Sequence, residues 1–323
     1  MRYRAITSAI FLILSSLCAA RADEAVTVRL KWFNQAQFAG FYVAQQNGYY
    51  KAAGLDVNIQ PGGPDFPAVQ MVTGGSEQFG VTGADQILIA RSKGVPVVAL
   101  AVIYRRNPFV LFSLAKSGIK TPADFAGKTV GVKIGGNEEL IYRAVLAKAG
   151  IDKSKLSEMP VKFDITPLLT GTVDVWPGYL INEVLAAKEK GFDVNVIYPA
   201  DFGIELYADT LFTTEKMLKE KPDVVRNFVA ATLKGWDTAI ASPEDAAKIT
   251  VKFGGDKLSF DHELAMMKAS LPLLKPDSKP VGFMDEAGWD AVQKLLLGAG
   301  FQKQPVNLAE AFTAKSTAAK STP

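Results

Sequence analysis

Hydrophobic residues follow two rhythms along this chain. Short runs rich in Val, Ile, Leu and Phe read as strands over residues 26–32, 56–60, 79–82, 97–104 and 109–114. Between them, apolar residues spaced every three or four positions predict helices over 41–53, 66–73 and 84–92. A second set repeats the alternation. It reads strand 129–133, helix 138–149, a short strand near Val161, helix 167–170, strand 173–176, helix 181–190 and strand 194–198. From Thr214 onward the pattern turns almost wholly helical, over 214–220, 222–242, 243–252, 260–270 and 285–297. Pro222 and Pro243 stand at first-turn positions, where a missing N–H costs no hydrogen bond, and Pro276 punctuates the chain further on. Such alternation predicts an α/β fold, with helices packed on mostly parallel sheets.

The two α/β sets predict two lobes. Lobe 1 covers 23–114, and lobe 2 covers 115–205. Residues 206–213 read as one more strand, and it needs a sheet. If it returns to the first sheet, the chain crosses between lobes twice, near Ser113 and near 205–207. Residues 206–312 then complete lobe 1, and the two connections form a hinge. A cleft between lobes joined in this way can close on a ligand. Three sequential domains are the alternative organisation. Residues 313–323 are Ala, Lys, Ser, Thr and Pro, and their composition predicts a disordered tail.

The first 22 residues read as a secretory leader. Arg2 and Arg4 precede a short apolar run over 6–17, and Ala20-Arg21-Ala22 fits small-x-small cleavage. A retained N-terminal anchor is the competing reading. The leader predicts export to the periplasm. It also changes the charge picture. The chain has 36 Lys and Arg against 33 Asp and Glu. Arg2, Arg4 and Arg21 lie in the leader, so the remainder is formally neutral. A neutral protein gives no electrostatic case for binding nucleic acid or an anionic membrane. Cys18, the one cysteine, also lies in the leader, so the mature chain has no disulfide or thiol chemistry and must rest on a large core.

Catalytic patterns fare poorly. The lone histidine, His262, sits between Asp261 and Glu263 in a predicted helix and reads as a surface residue. Without other His or Cys, zinc has no typical ligand set. Neither a Gly-x-Ser-x-Gly elbow nor a Gly-rich phosphate loop is present. Binding features are better represented. The stretch Lys31-Trp32-Phe33-Asn34-Gln35-Ala36-Gln37-Phe38 follows the first strand and leads into a helix near Gly40. Amides and aromatics at a strand's carboxyl end are placed to hold a flat hydrogen-bonding molecule. Val81-Thr82-Gly83-Ala84-Asp85-Gln86 is a second strand-to-helix corner, where Asp85 accepts a ligand N–H or favours the helix start. Gly135-Gly136-Asn137 is a third, and its glycines allow close backbone approach, although a plain turn explains it equally.

In the second set, Pro177 and Gly178 are expected to stop the strand, leaving Trp176 and Tyr179 at its end. Trp176 facing Trp32 or Phe38 would sandwich a ring. Burying about 150 Å² of ring surface would contribute about 4 kcal/mol. Glu205, at the second crossover, is placed to accept N–H donors from a heterocycle or to sit on the hinge surface. Arg105 ends an apolar strand and either reaches the cleft or caps a solvated turn.

These residues resemble a family. Trp32, Asn34, Gln35, Gln37, Gly40, Tyr42, Ala44, Gly48-Tyr49-Tyr50 and Gly54-Leu55-Asp56-Val57 resemble the solute-binding proteins of ABC transporters related to thiamine-pyrimidine-precursor and sulfonate binding. Further matches run through Phe79-Gly80-Val81-Thr82-Gly83-Ala84-Asp85, Gly94-Val95-Pro96-Val97, Asp124-Phe125-Ala126-Gly127-Lys128 and Gly203-Ile204-Glu205, so the resemblance covers nearly all of residues 25–300. It implies the periplasmic-binding-protein type II fold and a cleft-bound ligand. Phe38 stands where the pyrimidine-precursor branch has a His, so the ligand expected here is an aromatic nitrogen heterocycle of that kind or a larger, riboflavin-like one. The family's fungal enzymes spend a His and use iron near a Cys-rich motif, which this chain lacks.

The expected function is therefore a monomeric, non-catalytic binding protein without cofactor. It captures a small heterocycle and presents it to an inner-membrane ABC permease. The expected ligand contacts are Trp32, Asn34, Gln35, Gln37, Phe38, Tyr42, Asp85, Arg105, Gly135, Gly136, Asn137, Trp176, Tyr179 and Glu205. A sulfonate or anion binder, leaning on Arg105 and Arg106, is the first rival. A pyrimidine-biosynthesis enzyme on the same fold is the second.

Overall fold

The computed structural model of the chain describes residues 23–134 and 136–313. Residues 1–22, where a leader was expected, Gly135 and residues 314–323 lie outside the described residues. Among the described residues, ten strands form two five-stranded sheets. The first contains β1 (Glu24–Arg29), β2 (Leu55–Gln60), β3 (Phe79–Gly83), β4 (Val97–Val102) and β10 (Asp209–Thr214). Its order is β2-β1-β3-β10-β4. The second contains β5 (Phe109–Leu114), β6 (Thr129–Val132), β7 (Ser157–Pro160), β8 (Val175–Tyr179) and β9 (Val194–Ile197), in the order β7-β6-β8-β5-β9.

The two sheets share one plan. β1 pairs in parallel with β2 and β3, and β6 pairs in parallel with β7 and β8. Each sheet then accepts one antiparallel strand from the other half of the chain's path: β10 beside β3 and β4, and β5 beside β8 and β9. The late strand therefore returns to the first sheet, and the chain crosses between lobes twice. The first crossing corrects the sequence expectation. β5 belongs to the second sheet, so the chain crosses at residues 103–108 rather than near Ser113. β5 is buried on both faces, and such a uniformly apolar strand carries no pattern that says which sheet it joins. The return crossing lies at residues 203–208.

Local chemistry explains other departures. The predicted helix over 41–53 is two helices, Ala39–Gln46 and Tyr49–Ala52, because Gly48 between them takes φ +70°. β8 runs straight through Pro177 to Tyr179 instead of stopping there. Its ladder with β6 registers only at Val130–Val175, so past that point Pro177 surrenders no donor on that side. The second-lobe strand expected near Val161 ends at Pro160.

The late helices complete lobe 1. Pro222–Ala241 packs along Ala39–Gln46, and the two backbones nearly touch. A Cβ on Gly235 would lie 2.1 Å from the Gly40 carbonyl oxygen. Trp236 is fully buried beside Phe41 and Tyr104 in edge-on contacts. Thr313, at the start of the expected tail, donates its N–H to Ala99 O at 3.0 Å.

Candidate ligand-binding site between the lobes

The carboxyl ends of the parallel strands of both sheets face one another, and a cavity of about 200 Å³ lies between them. Lobe 1 lines it with Lys31, Trp32, Gln35, Gln37, Gly83 and Gln86. Lobe 2 contributes Lys133, Asn137, Glu138, Phe163, Tyr179, Asn182 and Glu183. Open α/β sheets bind ligands at this end because loops and helix starts converge there.

On the first lobe, the loop after β1 is held in place by backbone bonds. Gly62 N–H donates to Trp32 O at 2.8 Å, and Ala36 N–H donates to the buried Glu263 carboxylate at 2.5 Å. This presents Gln35 and Gln37 to the cavity, both buried. Asp209, the first residue of β10, lies behind them and is buried. It accepts from Lys31 Nζ at 3.1 Å and from Gln37 Nε2 at 2.6 Å. Gln37 Oε1 in turn accepts from Gln35 Nε2 at 2.5 Å. Lys31 also reaches across the cleft and donates to Tyr179 Oη at 2.8 Å. Burial opposes the Lys31 charge, but Asp209 and then Tyr179 outweigh it, so its pKa lies above the ordinary lysine range.

On the second lobe, Lys133 donates to Glu138 at 3.0 Å and to Glu183 at 2.9 Å. Burial disfavours its charge too, yet the two carboxylates raise its pKa. Glu183 accepts from the Tyr179 N–H at 2.8 Å and so fixes the end of β8. Phe163 meets Trp32 edge-on across the mouth, centroids 4.5 Å apart. His262, on the lobe 1 helix Phe260–Leu274, places Nδ1 2.9 Å from Glu189 and Nε2 3.2 Å from Asn182 Oδ1, both on lobe 2. Contacts from Lys31, Trp32 and His262 therefore bridge the two lobes across the cleft.

Of the expected contacts, Trp32, Gln35, Gln37, Asn137 and Tyr179 meet at the cavity. Asp85 sits just behind its wall: a Cβ on Gly83 would touch Asp85 Oδ1 at 2.2 Å. Burial raises the Asp85 pKa, and contacts with Gln86, Lys31 and the adjacent N–H groups offset that only in part. Gly136 starts the helix Gly136–Lys148 that carries Asn137. Gly135 lies outside the described residues.

The remaining expected contacts stand elsewhere. Phe38 is 1% exposed and belongs to the lobe 1 core. Trp176 is fully buried among Val110, Phe112 and Val184 in the lobe 2 core, because β8 continues past it and only Tyr179 reaches the strand end. Tyr42 stacks on Phe253 at 5.0 Å and donates to Asn34 Oδ1 at 3.0 Å, so that pair closes the packing behind the loop. Arg105 is held by Asp277 and lies over Phe283, away from the cavity. Glu205 is exposed and edges a separate depression beside the hinge.

Lys133, Phe163 and Asp209 were not singled out from the sequence. Lys31 and Asp209 are 178 positions apart, and only the return of β10 brings them together. His262 bridges the lobes rather than sitting idle on the surface. Among the described residues, no three His, Cys, Asp or Glu side chains group as a metal site.

A family model for NMT1/THI5-like proteins matches residues 35–246. The chain belongs to that family. This member is 30% identical over 300 residues to the formylaminopyrimidine-binding protein of Halalkalibacterium halodurans, a match covering 90% of each chain. It is 28% identical over 302 residues to the riboflavin-binding protein RibY of Chloroflexus aurantiacus, covering 90% of this chain and 85% of that one. In structure it is similar to the periplasmic aliphatic sulphonate binding protein SsuA from Escherichia coli, with a TM-score of 0.72 at 15% identity over 89% of this chain and 96% of the other. That likeness establishes the two-lobed periplasmic-binding-protein fold.

Proposed function

We propose that this protein is an exported, non-catalytic solute-binding protein that closes its lobes on a one-ring aromatic nitrogen heterocycle and delivers it to the permease of an ABC importer. The observation that carries this reading is the cavity itself: about 200 Å³, walled by Trp32, Phe163 and Tyr179 and by the side-chain amides Gln35, Gln37 and Asn137. A cavity of about 150 Å³ holds benzene, so this one takes a single substituted ring and is tight for a three-ring flavin. The formylaminopyrimidine-binding relative supports the same ligand class.

The charges argue against an anion. Lys31 is committed to Asp209, and Lys133 to Glu138 and Glu183. Arg105 is paired with Asp277 outside the cavity. A sulfonate entering here would meet carboxylates already holding the cations. An enzyme reading fares no better, because both ring nitrogens of the lone His262 face partners on the other lobe.

Calorimetric titration of the leaderless protein tests the proposal. An aminopyrimidine, riboflavin, taurine and nitrate form the panel. The expected result is saturable one-to-one binding of the aminopyrimidine, with riboflavin weaker. Tight binding of taurine or nitrate with no binding of either ring compound would overturn it.

A further inference from the structure

The Lys31–Asp209 ion pair at the floor of the cavity, half-buried at Lys31 and buried at Asp209, fixes which way its hydrogen bonds point. Asp209 only accepts. With Gln37 Nε2 committed to it at 2.6 Å, the Gln37 amide must turn Oε1 towards Gln35, which donates Nε2 at 2.5 Å. The end of Gln35 turned away from this relay is its carbonyl, Oε1. Neither amide can flip without setting a carbonyl against a carboxylate or against another carbonyl. The same logic runs through Lys31, whose ammonium only donates. It donates to Tyr179 Oη at 2.8 Å, so the Tyr179 hydroxyl proton points elsewhere. Burial raises the Tyr179 pKa against the pull of Lys31, so that proton is retained at neutral pH. On the facing wall, Asn137 is 7% exposed and its Nδ2 has no acceptor.

We infer that the Lys31–Asp209 pair sets the ligand polarity of the cavity, making Gln35 an acceptor and Tyr179 a donor, so that the ligand is an amino-substituted ring. Its exocyclic N–H goes to Gln35 Oε1, and its ring nitrogens accept from Tyr179 Oη and Asn137 Nδ2. Gln37 is a positioning residue that acts through Gln35. A ring with a carbonyl at the Gln35 edge would set two acceptors together and is rejected. This inference rests on the heterocycle reading above and names the chemical edge that reading requires.

The test compares two probes of one shape, 4-amino-2-methylpyrimidine and 2,4-dimethylpyrimidine, which differ in a single donor group. Each is titrated into wild type, Gln35→Leu, Gln37→Leu and Tyr179→Phe, with a thermal melt to confirm folding. Wild type is expected to prefer the amino probe by roughly tenfold, the scale of one buried hydrogen bond. Gln35→Leu and Gln37→Leu each bring that preference to within about twofold while the dimethyl probe keeps its affinity. If one of them fails to fold, the other carries the test. Tyr179→Phe weakens both probes alike, because both accept through ring nitrogens. Equal binding of the two probes by wild type, or an undiminished preference in Gln35→Leu or Gln37→Leu, overturns the polarity while leaving the heterocycle reading standing. A folded wild type that binds neither probe overturns both.

Discussion

Trp176 lies at the start of β8 and Trp32 just past the end of β1, and their replacement by Ala should have opposite consequences. Trp176 is fully buried opposite Phe112 in the β5–β8 pairing, packed on Val110, Leu168 and Val184. Its Nε1 has no hydrogen-bond partner, so its whole contribution is packing. Truncating a buried Trp to Ala costs about 3–5 kcal/mol through lost transfer and the cavity left behind. At roughly 2–4 °C per kcal/mol in a chain of this size, Trp176→Ala should melt roughly 6–20 °C lower. Below its melting point its ligand affinity should match wild type. Trp32 is half-buried, and its ring meets Phe163 and Phe33 at the cavity mouth. Losing it removes edge contacts worth about 0.5–1.5 kcal/mol, so melting should move by a few degrees at most. The ligand loses one covered face, about 75 Å² at ~25 cal/mol per Å², which is about 2 kcal/mol or roughly thirtyfold in Kd. Circular-dichroism melts and calorimetric titration of both variants read the two effects separately. If Trp176→Ala kept its melting temperature and lost binding, Trp176 would be a ligand contact and the placement of the site would be wrong.

Two further outcomes follow from the same geometry. Burial raises the Glu263 pKa despite its bond from the Ala36 N–H, so the folded state holds that proton more tightly than the unfolded chain. Wild type therefore gains stability relative to Glu263→Gln as pH falls from neutral towards the ordinary carboxylate range, and melts at pH 7 and about 5 should show the variant's relative standing decline. A constant difference would show that Glu263 does not titrate with folding. His262→Ala removes the contacts to Glu189 and Asn182 that hold the lobes together. It should leave the melting temperature unchanged and speed ligand release by roughly two- to tenfold in stopped-flow measurements. Unchanged release would remove His262 from the closure mechanism.

The architecture was largely legible because strand and helix periodicities differ so clearly, and because residues 206–213 look like a strand that has no sheet nearby. The membership of β5 was not legible. Its residues are apolar on both faces, and such a run suits either sheet. The site divided in the same way. Gln35, Gln37, Asn137 and Tyr179, chosen for their type and their place at or after a strand end, line the cavity. Phe38 and Trp176 were misplaced because an aromatic beside a strand packs inward or outward with the same local sequence, and for Trp176 only the length of β8 decides it. Phe163 sits between Lys162 and Asp164 in a polar loop that carries no binding pattern. Asp209 needed the fold, since nothing near it in sequence announces Lys31 or Gln37 as its partners.

A crystal structure of residues 23–323 grown with 4-amino-2-methylpyrimidine tests the central claim most directly. The expected result is a closed molecule with the ring between Trp32, Phe163 and Tyr179 and its amino group at Gln35 Oε1. Density for the ring in the hinge depression beside Glu205, with the cavity between the sheets empty, would contradict it.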